Sequence, residues 1–199
     1  MKMGMSICSR VLLAGGCMLA GCMAWGQQTS REQQEPARFE VALTYDSVLA
    51  NVTTGNEFWM QGGSIQIQAR LWRGLGVMAD VAGLHTAAVN DSGAGLDLIT
   101  ATFGPRYTWS PRHRKIVFFG HVLAGEAHGM NSIFPSTTGF NSSGNSLALQ
   151  IGGGINLPIT RHFSLRAFDA NWLRTQLPNA TTNVQNNSRL GAGVLYRFK

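Results

Sequence analysis

The chain has 199 residues and a formal net charge of +6, yet only 13% of its residues are charged, against roughly 25% in an average soluble domain. With 44% hydrophobic residues it is too apolar for a disordered chain, and after residue 30 it lacks an apolar run of the roughly 18 residues that a membrane-spanning helix needs. Its basic residues are single or grouped in short turns, without a basic stripe that carries aromatic residues, which argues against a nucleic-acid partner.

The first 26 residues have the pattern of a secretory signal peptide. Lys2 and Arg10 supply the basic region, and residues 11–21 supply a short apolar stretch. Small residues two positions apart follow at 24–26, which is the pattern of a cleavage site. We therefore expect the protein to be exported.

A second processing signal overlaps the first. Residues 19–22 resemble the lipobox of bacterial lipoproteins, in which Cys22 is acylated and becomes the first residue. The sequence leaves both forms of processing open. In either form the mature chain keeps at most this one cysteine, which excludes an intrachain disulfide and a cysteine-based metal site.

Two further ranges complete the predicted domain organisation. Residues 27–37 are polar and have no periodicity, which predicts a flexible lead-in. From Phe39 onward the dominant pattern is an alternation of apolar and polar residues, the period expected of half-buried β-strands. Residues 38–199 are therefore predicted to form one all-β domain.

The alternation divides this domain into eight predicted strands. In the fifth strand both faces are similarly apolar, so the sequence does not show which of them points into the barrel. In the seventh strand the alternation breaks near Phe168 and Asp169, where we expect a β-bulge. In chain order, the predicted strands are residues 39–49, 61–72, 75–85, 96–109, 115–128, 146–157, 163–175 and 188–198.

The connections between these strands alternate in length. Short turns at one end and long connections at the other predict an eight-stranded antiparallel up-and-down transmembrane β-barrel, with the short turns in the periplasm. The strands are long enough for this, because a tilted strand needs roughly 9–11 residues to cross a bilayer. The short turns are residues 73–74, 110–114 and 158–162, and the long connections, rich in Asn, Ser, Thr and Gly, are residues 52–60, 86–95, 129–145 and 176–187.

The polar face of each strand is predicted to point into the barrel and the apolar face toward lipid, the reverse of a soluble barrel. Aromatic residues gather near the strand ends, as in the interfacial girdles of membrane barrels. Charges of both signs share the polar face, and because isolated buried charges are costly, we expect them to pair and fill the narrow lumen. A salt-bridge gate for a narrow pore is the alternative use of these charges. The predicted lumen charges are Glu40, Asp46, Arg70, Asp80, Arg106, Arg166, Arg189 and Arg197.

Candidate sites for chemistry are weak. His121, Glu126 and His128 have a spacing that could suit metal ligands, but no second cluster supports them, and a lumen histidine beside polar rim residues explains them more simply. His162 and Ser164 have the local look of a hydrolytic pair, yet they fall at the short-turn end, in the wrong leaflet for lipid A. We therefore predict no enzymatic activity, no metal site and no cofactor.

Three stretches carry a resemblance to a known family: residues 118–129, 151–166 and 186–198. The chain resembles the small eight-stranded outer-membrane β-barrels of the OmpA/OmpX type over about residues 38–198, and is especially similar to outer membrane protein beta-barrel domain proteins common in Acidobacteria-like genomes. The resemblance implies a place in the bacterial outer membrane, and contact there with membrane lipid, lipopolysaccharide and the outer-membrane insertion machinery.

The last stretch also looks like the C-terminal assembly signal that the insertion machinery reads. Tyr196 and Phe198 carry its alternating aromatic end. Lys199 departs from the pattern, because the signal usually ends on the aromatic residue.

Together these observations predict a monomeric, non-enzymatic outer-membrane protein with a structural or surface-interaction role and a lumen filled by polar side chains. The main alternative is an adhesin or binding module that acts through the long connections. A narrow gated pore and a lipid A-modifying enzyme are the remaining alternatives.

Overall fold

The computed structural model describes residues 39–51, 57–89, 94–111, 116–136, 139–179 and 182–198. The predicted signal peptide, the lead-in, Cys22 and Lys199 lie outside the described residues, so their roles stay predictions. None of the described residues forms a helix that is long and apolar enough to cross a membrane.

The described residues form eight β-strands. Each strand pairs antiparallel with the next, and β8 closes the ring on β1, where Val41 lies opposite Tyr196. This arrangement confirms the predicted eight-stranded up-and-down barrel. The strands are β1 (Phe39–Asn51), β2 (Glu57–Trp72), β3 (Leu75–Thr86), β4 (Leu96–Trp109), β5 (Val117–Ser136), β6 (Gly139–Pro158), β7 (Phe163–Thr175) and β8 (Gln185–Arg197).

The turn between β2 and β3 is as short as predicted. Arg73 and Gly74 have φ angles of 42° and 92°, the left-handed values that a two-residue hairpin turn requires at both positions. Glycine adopts this conformation without strain, which explains its place here.

The hairpin of β5 and β6 is much longer than predicted. Each strand has 20 residues, and pairing continues to Ser136 opposite Gly139, inside the predicted connection 129–145. A register shift between Met130 and Phe134 interrupts the ladder. This extension is held by backbone pairing in a segment rich in Ser, Asn and Gly. Because the segment has no regular apolar alternation, the sequence pattern does not predict it as strand.

The two faces of each strand have opposite chemistry. In β1, Glu40 and Asp46 are buried inside the barrel, whereas the side chains of Leu43 and Tyr45 are exposed on the outside. The structure also resolves the phase of β5, in which Phe119 points inward. The outer surface is therefore an apolar belt, as a lipid environment requires.

A bulge in β7 changes which residues point inward. Register shifts occur between Arg166 and Asp169 against β8, and between Ile155 and Asn156 against β6. As a result both Ala167 and Phe168 are exposed on the outside, and Asp169 returns to the interior. The bulge lies where the sequence pattern breaks.

The barrel interior has two layers. The layer nearer the short turns, here called the polar layer, contains Asp46, Gln66, Asp80, His121, Gln150, Arg166, Asp169, Asn171 and Arg189. The layer nearer the long connections, here called the apolar layer, contains Val48, Ala50, Phe58, Met60, Leu84, Leu98, Ala127, Phe134, Ala148, Leu173 and Leu177.

Candidate functional site

Arg189, in β8, contacts three polar side chains on one side of the polar layer. Its Nη2 donates to Asp80 Oδ2 at 2.6 Å and to Ser64 Oγ at 3.1 Å, and its Nε lies 3.6 Å from Asp46 Oδ2. All three charged side chains are almost completely shielded from solvent. The predicted charges Asp46, Asp80 and Arg189 therefore meet in one buried cluster.

Gly191 makes space for this cluster. A Cβ atom at Gly191 would lie 2.2 Å from Asp46 Oδ1, far inside van der Waals contact. Glycine on the inner face of β8 thus allows the carboxylate to sit beside the strand.

Arg166 forms a second buried ion pair. Its Nη1 donates to Asp169 Oδ2 at 3.1 Å, its Nε donates to Asn156 Oδ1 at 3.1 Å, and it also contacts Gln66 Oε1. Residues three apart point to opposite faces in a regular strand, so only the bulge permits the pairing of Arg166 with Asp169. Sequence reasoning missed Asp169 as a lumen charge, although the break in alternation was the signal that could have found it.

Carboxamide side chains join the two ion-pair clusters. Gln150 Nε2 donates to Asp80 Oδ2 at 2.9 Å and to Asn171 Oδ1 at 3.2 Å. Asn171 Nδ2 in turn donates to Asp169 Oδ1 at 2.9 Å, and Asn171 Oδ1 lies 2.7 Å from His121 Nε2. The polar layer is thus one continuous network that cross-links strands from opposite sides of the barrel.

Three other predicted lumen charges lie near the short-turn end. Arg197 Nε donates to Glu40 Oε1 at 2.7 Å, a pair that is partly open to solvent. Arg70 is half-buried and lines a small pocket with Glu40 and Arg106.

Arg106 differs from the other buried arginines. None of its guanidinium nitrogens has a hydrogen-bond partner in the described part of the chain. Its guanidinium carbon lies 4.2 Å from the ring centre of Phe119, and that of Arg166 lies 4.5 Å from the same ring. Phe119 therefore provides cation–π contacts to both arginines.

The weak candidates for chemistry do not assemble into sites. His121 points inward, whereas Glu126 and His128 lie on the outward face of β5. Within the described ranges, no three His, Cys, Asp or Glu residues converge as metal ligands. His162 Nδ1 lies 3.1 Å from the carbonyl oxygen of Arg197, while Ser164 is buried in the interior with no hydrogen-bond partner for its hydroxyl among the described residues.

The predicted C-terminal assembly signal lies on the outer surface at the short-turn end. Tyr196 packs edge-on against Phe163 and Phe198, with ring centres 5.0 and 4.7 Å apart. Phe198 N donates to Phe39 O at 2.8 Å, which extends the closure of the barrel by one residue. This outward aromatic group is the kind of girdle found at the interfaces of membrane barrels.

Comparison with known proteins supports the fold. No protein-family model and no curated protein matches the chain at the sequence level. Among solved structures, Neisserial surface protein A is similar with a TM-score of 0.61 and 14% identity, over 80% of this chain and 97% of that one.

The attachment invasion locus protein Ail of Yersinia pestis, crystallised with the heparin analogue sucrose octasulfate, is also similar. It has a TM-score of 0.56 and 17% identity, over 81% of this chain and 99% of that one. The chain therefore has the fold of small bacterial outer-membrane β-barrels, in agreement with the predicted location. The similarity to proteins of Acidobacteria-like genomes stays a prediction.

Proposed function

We propose that the protein is an integral, monomeric outer-membrane barrel that acts through its long connections at the cell surface and performs no chemistry. The observation that carries the proposal is the pairing of an apolar outer belt with a hydrogen-bonded interior inside a closed barrel. Such a molecule is stable only where lipid covers its outer face. Lipopolysaccharide then surrounds the outer half of the apolar belt and phospholipid surrounds the inner half, after the insertion machinery has read the aromatic C-terminal strand.

The closed interior favours a structural role over a pore. A conducting path would have to separate Arg189 and Arg166 from their carboxylate partners. Depriving one buried charge of its partner costs about 3–5 kcal/mol. Single-channel recordings in planar bilayers should therefore show no steady conductance. Regular openings of the wild-type protein would favour the gated-pore alternative.

The face assignment has a direct test. Val81, on the outer face of β3, is half exposed, so replacing it with arginine places a charge against the bilayer interior. We expect Val81→Arg to lower the free energy of unfolding by about 2–4 kcal/mol in lipid vesicles, and Val81→Leu to have little effect. Equal stability of the two variants would contradict the membrane-embedded orientation.

Cell fractionation tests the location itself. The protein should enter the outer-membrane fraction and migrate differently on a gel before and after heating. Protease added to intact cells should cut within the long connections and spare the short turns. Recovery as a soluble periplasmic protein would contradict the proposal.

The long connections indicate what kind of surface partner is suitable. The four predicted long connections contain no Lys or Arg and many Asn, Ser and Thr residues. Their only acids are Asp91 and Glu57, and the structure places Glu57 at the start of β2. In contrast, the short turns contain Arg73, Arg112, Arg114 and Arg161. A polyanion would find no basic residue in these connections, so a partner held by hydrogen bonds fits them better.

Ail was crystallised with a heparin analogue, a polyanion, whereas the predicted long connections of this chain contain no basic residue. We expect heparin-coated beads to retain intact cells that carry the protein no better than cells that lack it, at roughly physiological salt, where the Debye length is about 8 Å. Intact cells present only the long-connection end, so the arginines of the short turns do not contribute. A variant with lysine in place of Glu57 and Asp91 is the matched control for charge. Strong, salt-sensitive retention of the wild type would contradict the inferred partner chemistry.

A further inference from the structure

The apolar layer ends in a cavity at the long-connection end of the barrel. Its volume is about 430 Å³, within the range of roughly 300–1,000 Å³ that is usual for small-molecule sites. Met60 and Leu98 line its deep end, and Phe58, Phe134 and Leu177 line its walls. Beneath these residues the rest of the apolar layer separates the cavity from the polar layer.

One wall of the cavity is fixed by a reciprocal pair of hydrogen bonds. Gln185 Nε2 donates to the carbonyl oxygen of Leu177 at 2.8 Å, and Leu177 N donates to Gln185 Oε1 at 3.0 Å. Thr175 Oγ1 also donates to Gln185 Oε1 at 3.1 Å. Because this contact already satisfies the carboxamide of Gln185, it holds Leu177 in place, and the wall exists before any ligand arrives.

The carboxamides of Asn51 and Asn187 also line the cavity. Asn51 N donates to Asn187 Oδ1 at 3.2 Å, and Asn186 N donates to Asn51 Oδ1 at 3.1 Å. Because backbone amides hold both side-chain oxygens, the orientation of each carboxamide is fixed. Among the described residues, no hydrogen bond uses Nδ2 of Asn51 or of Asn187.

We propose that this cavity binds a small, uncharged and mostly apolar molecule that carries one hydrogen-bond acceptor, such as a medium-chain ketone or ester. The apolar walls accept the hydrocarbon part, and the Nδ2 groups of Asn51 and Asn187 donate to the acceptor. No charged side chain is among the described lining residues, so a charged group would lose its hydration without compensation. At about 30 Å³ per water-sized unit, the volume suits roughly ten to fourteen non-hydrogen atoms.

The methionine methyl groups of the protein in lipid nanodiscs report on binding in the cavity. Met60 lines the cavity, whereas Met78 is equally buried but lies between Gln68 and Gly104, nearer the short turns. With 13C-labelled methionine methyls, 2-decanone should shift the Met60 signal in a saturable way and leave Met78 unchanged. Equal shifts of both signals, or no shift of Met60, would overturn the proposal.

Two further probes test the ligand chemistry. Decane lacks the acceptor and should bind roughly tenfold more weakly than 2-decanone, and decanoate, which is charged, should not shift Met60. Asn187→Asp keeps the acceptor for Asn51 N and removes one of the two donors, so it should reduce the preference for the ketone. Equal affinity of the wild type for decane and 2-decanone would overturn the role given to the two carboxamides.

A pair of tryptophan variants tests the location. Leu96→Trp places a large side chain in the cavity, and Leu147→Trp places the same side chain on the outer surface, where Leu147 is exposed. The first should abolish the Met60 shift, and the second should leave it intact. An unchanged shift in Leu96→Trp would overturn the proposed site. Because none of these readouts depends on a surface partner, their failure is distinguishable from failure of the proposed function.

Discussion

The two layers of the barrel interior are held together in different ways. In the polar layer, each charged group depends on a partner at a defined distance, as Arg189 does on Asp80 and Asp46. In the apolar layer, residues such as Leu173 and Met60 are equally buried but make no directional contacts. The polar layer therefore fixes the geometry of the barrel, and the apolar layer leaves room for a ligand at its outer end.

The largest expected effect comes from removing a carboxylate in the polar layer. Asp80→Ala leaves Arg189 buried without its closest partner, so we expect the free energy of unfolding to fall by about 3–5 kcal/mol. Reversible urea unfolding in lipid vesicles measures this change. Asp97→Ala is the control, because Asp97 pairs with His85 at the exposed end of the barrel and its loss should matter much less. Similar effects for both variants would contradict a buried network.

The next largest difference is expected between conservative substitutions in the two layers. Arg189→Lys cannot keep contact with Asp80, Asp46 and Ser64 together, and we expect a loss of about 2–3 kcal/mol. Leu173→Met conserves volume in the apolar layer and should cost less than about 1.5 kcal/mol. Equal costs in the same unfolding assay would remove the distinction between a directional layer and an adaptable one.

A smaller effect is expected from crowding the polar layer. In Gly191→Ala the new methyl group would displace the Asp46 carboxylate, at an expected cost of about 1–3 kcal/mol. Gly83→Ala is the matched control on the outer face, since nothing lies within 4 Å of a Cβ atom there. An equal or larger loss of stability in Gly83→Ala than in Gly191→Ala, measured by thermal unfolding, would contradict the lack of space at Gly191.

The smallest effect concerns the buried arginine without a hydrogen-bond partner in the described chain. Arg106→Met replaces a desolvated cation by an apolar chain of similar length, and the free energy of unfolding should change by less than about 1 kcal/mol. Arg166→Met removes the partner of Asp169 and should be much more destabilising. A large loss of stability in Arg106→Met would show that the cation–π contact with Phe119 stabilises the barrel.

Much of the barrel could be predicted because alternation and connection length are local signals. The inward positions of Glu40, Asp46 and Asp80 follow from parity alone, since their strands are regular. The inward position of Asp169 was not predicted, because the bulge reverses the alternation of inward and outward side chains in β7. A bulge expected near Phe168 does not by itself show which neighbouring side chain points inward.

The apolar layer was not predicted, although its residues continue the same parity. Val48 and Ala50 follow Asp46 on the inner face of β1, and Leu84 follows Asp80 on β3. The inner face of these two strands thus changes from polar to apolar toward the long connections. The cavity could not be predicted from sequence, because it depends on how side chains from several strands meet at one end.

The long β5–β6 hairpin gives the barrel unequal height. Its strands have 20 residues against 13 in β1 and β8. At about 3.4 Å per residue and a tilt of about 40°, the extra residues raise one side by roughly 18 Å. Ile133 and Phe140 are exposed on this raised part. In the proposed orientation the hairpin stands up into the sugar layer of the membrane, and among the described strands it is the first that an arriving antibody or phage fibre would touch.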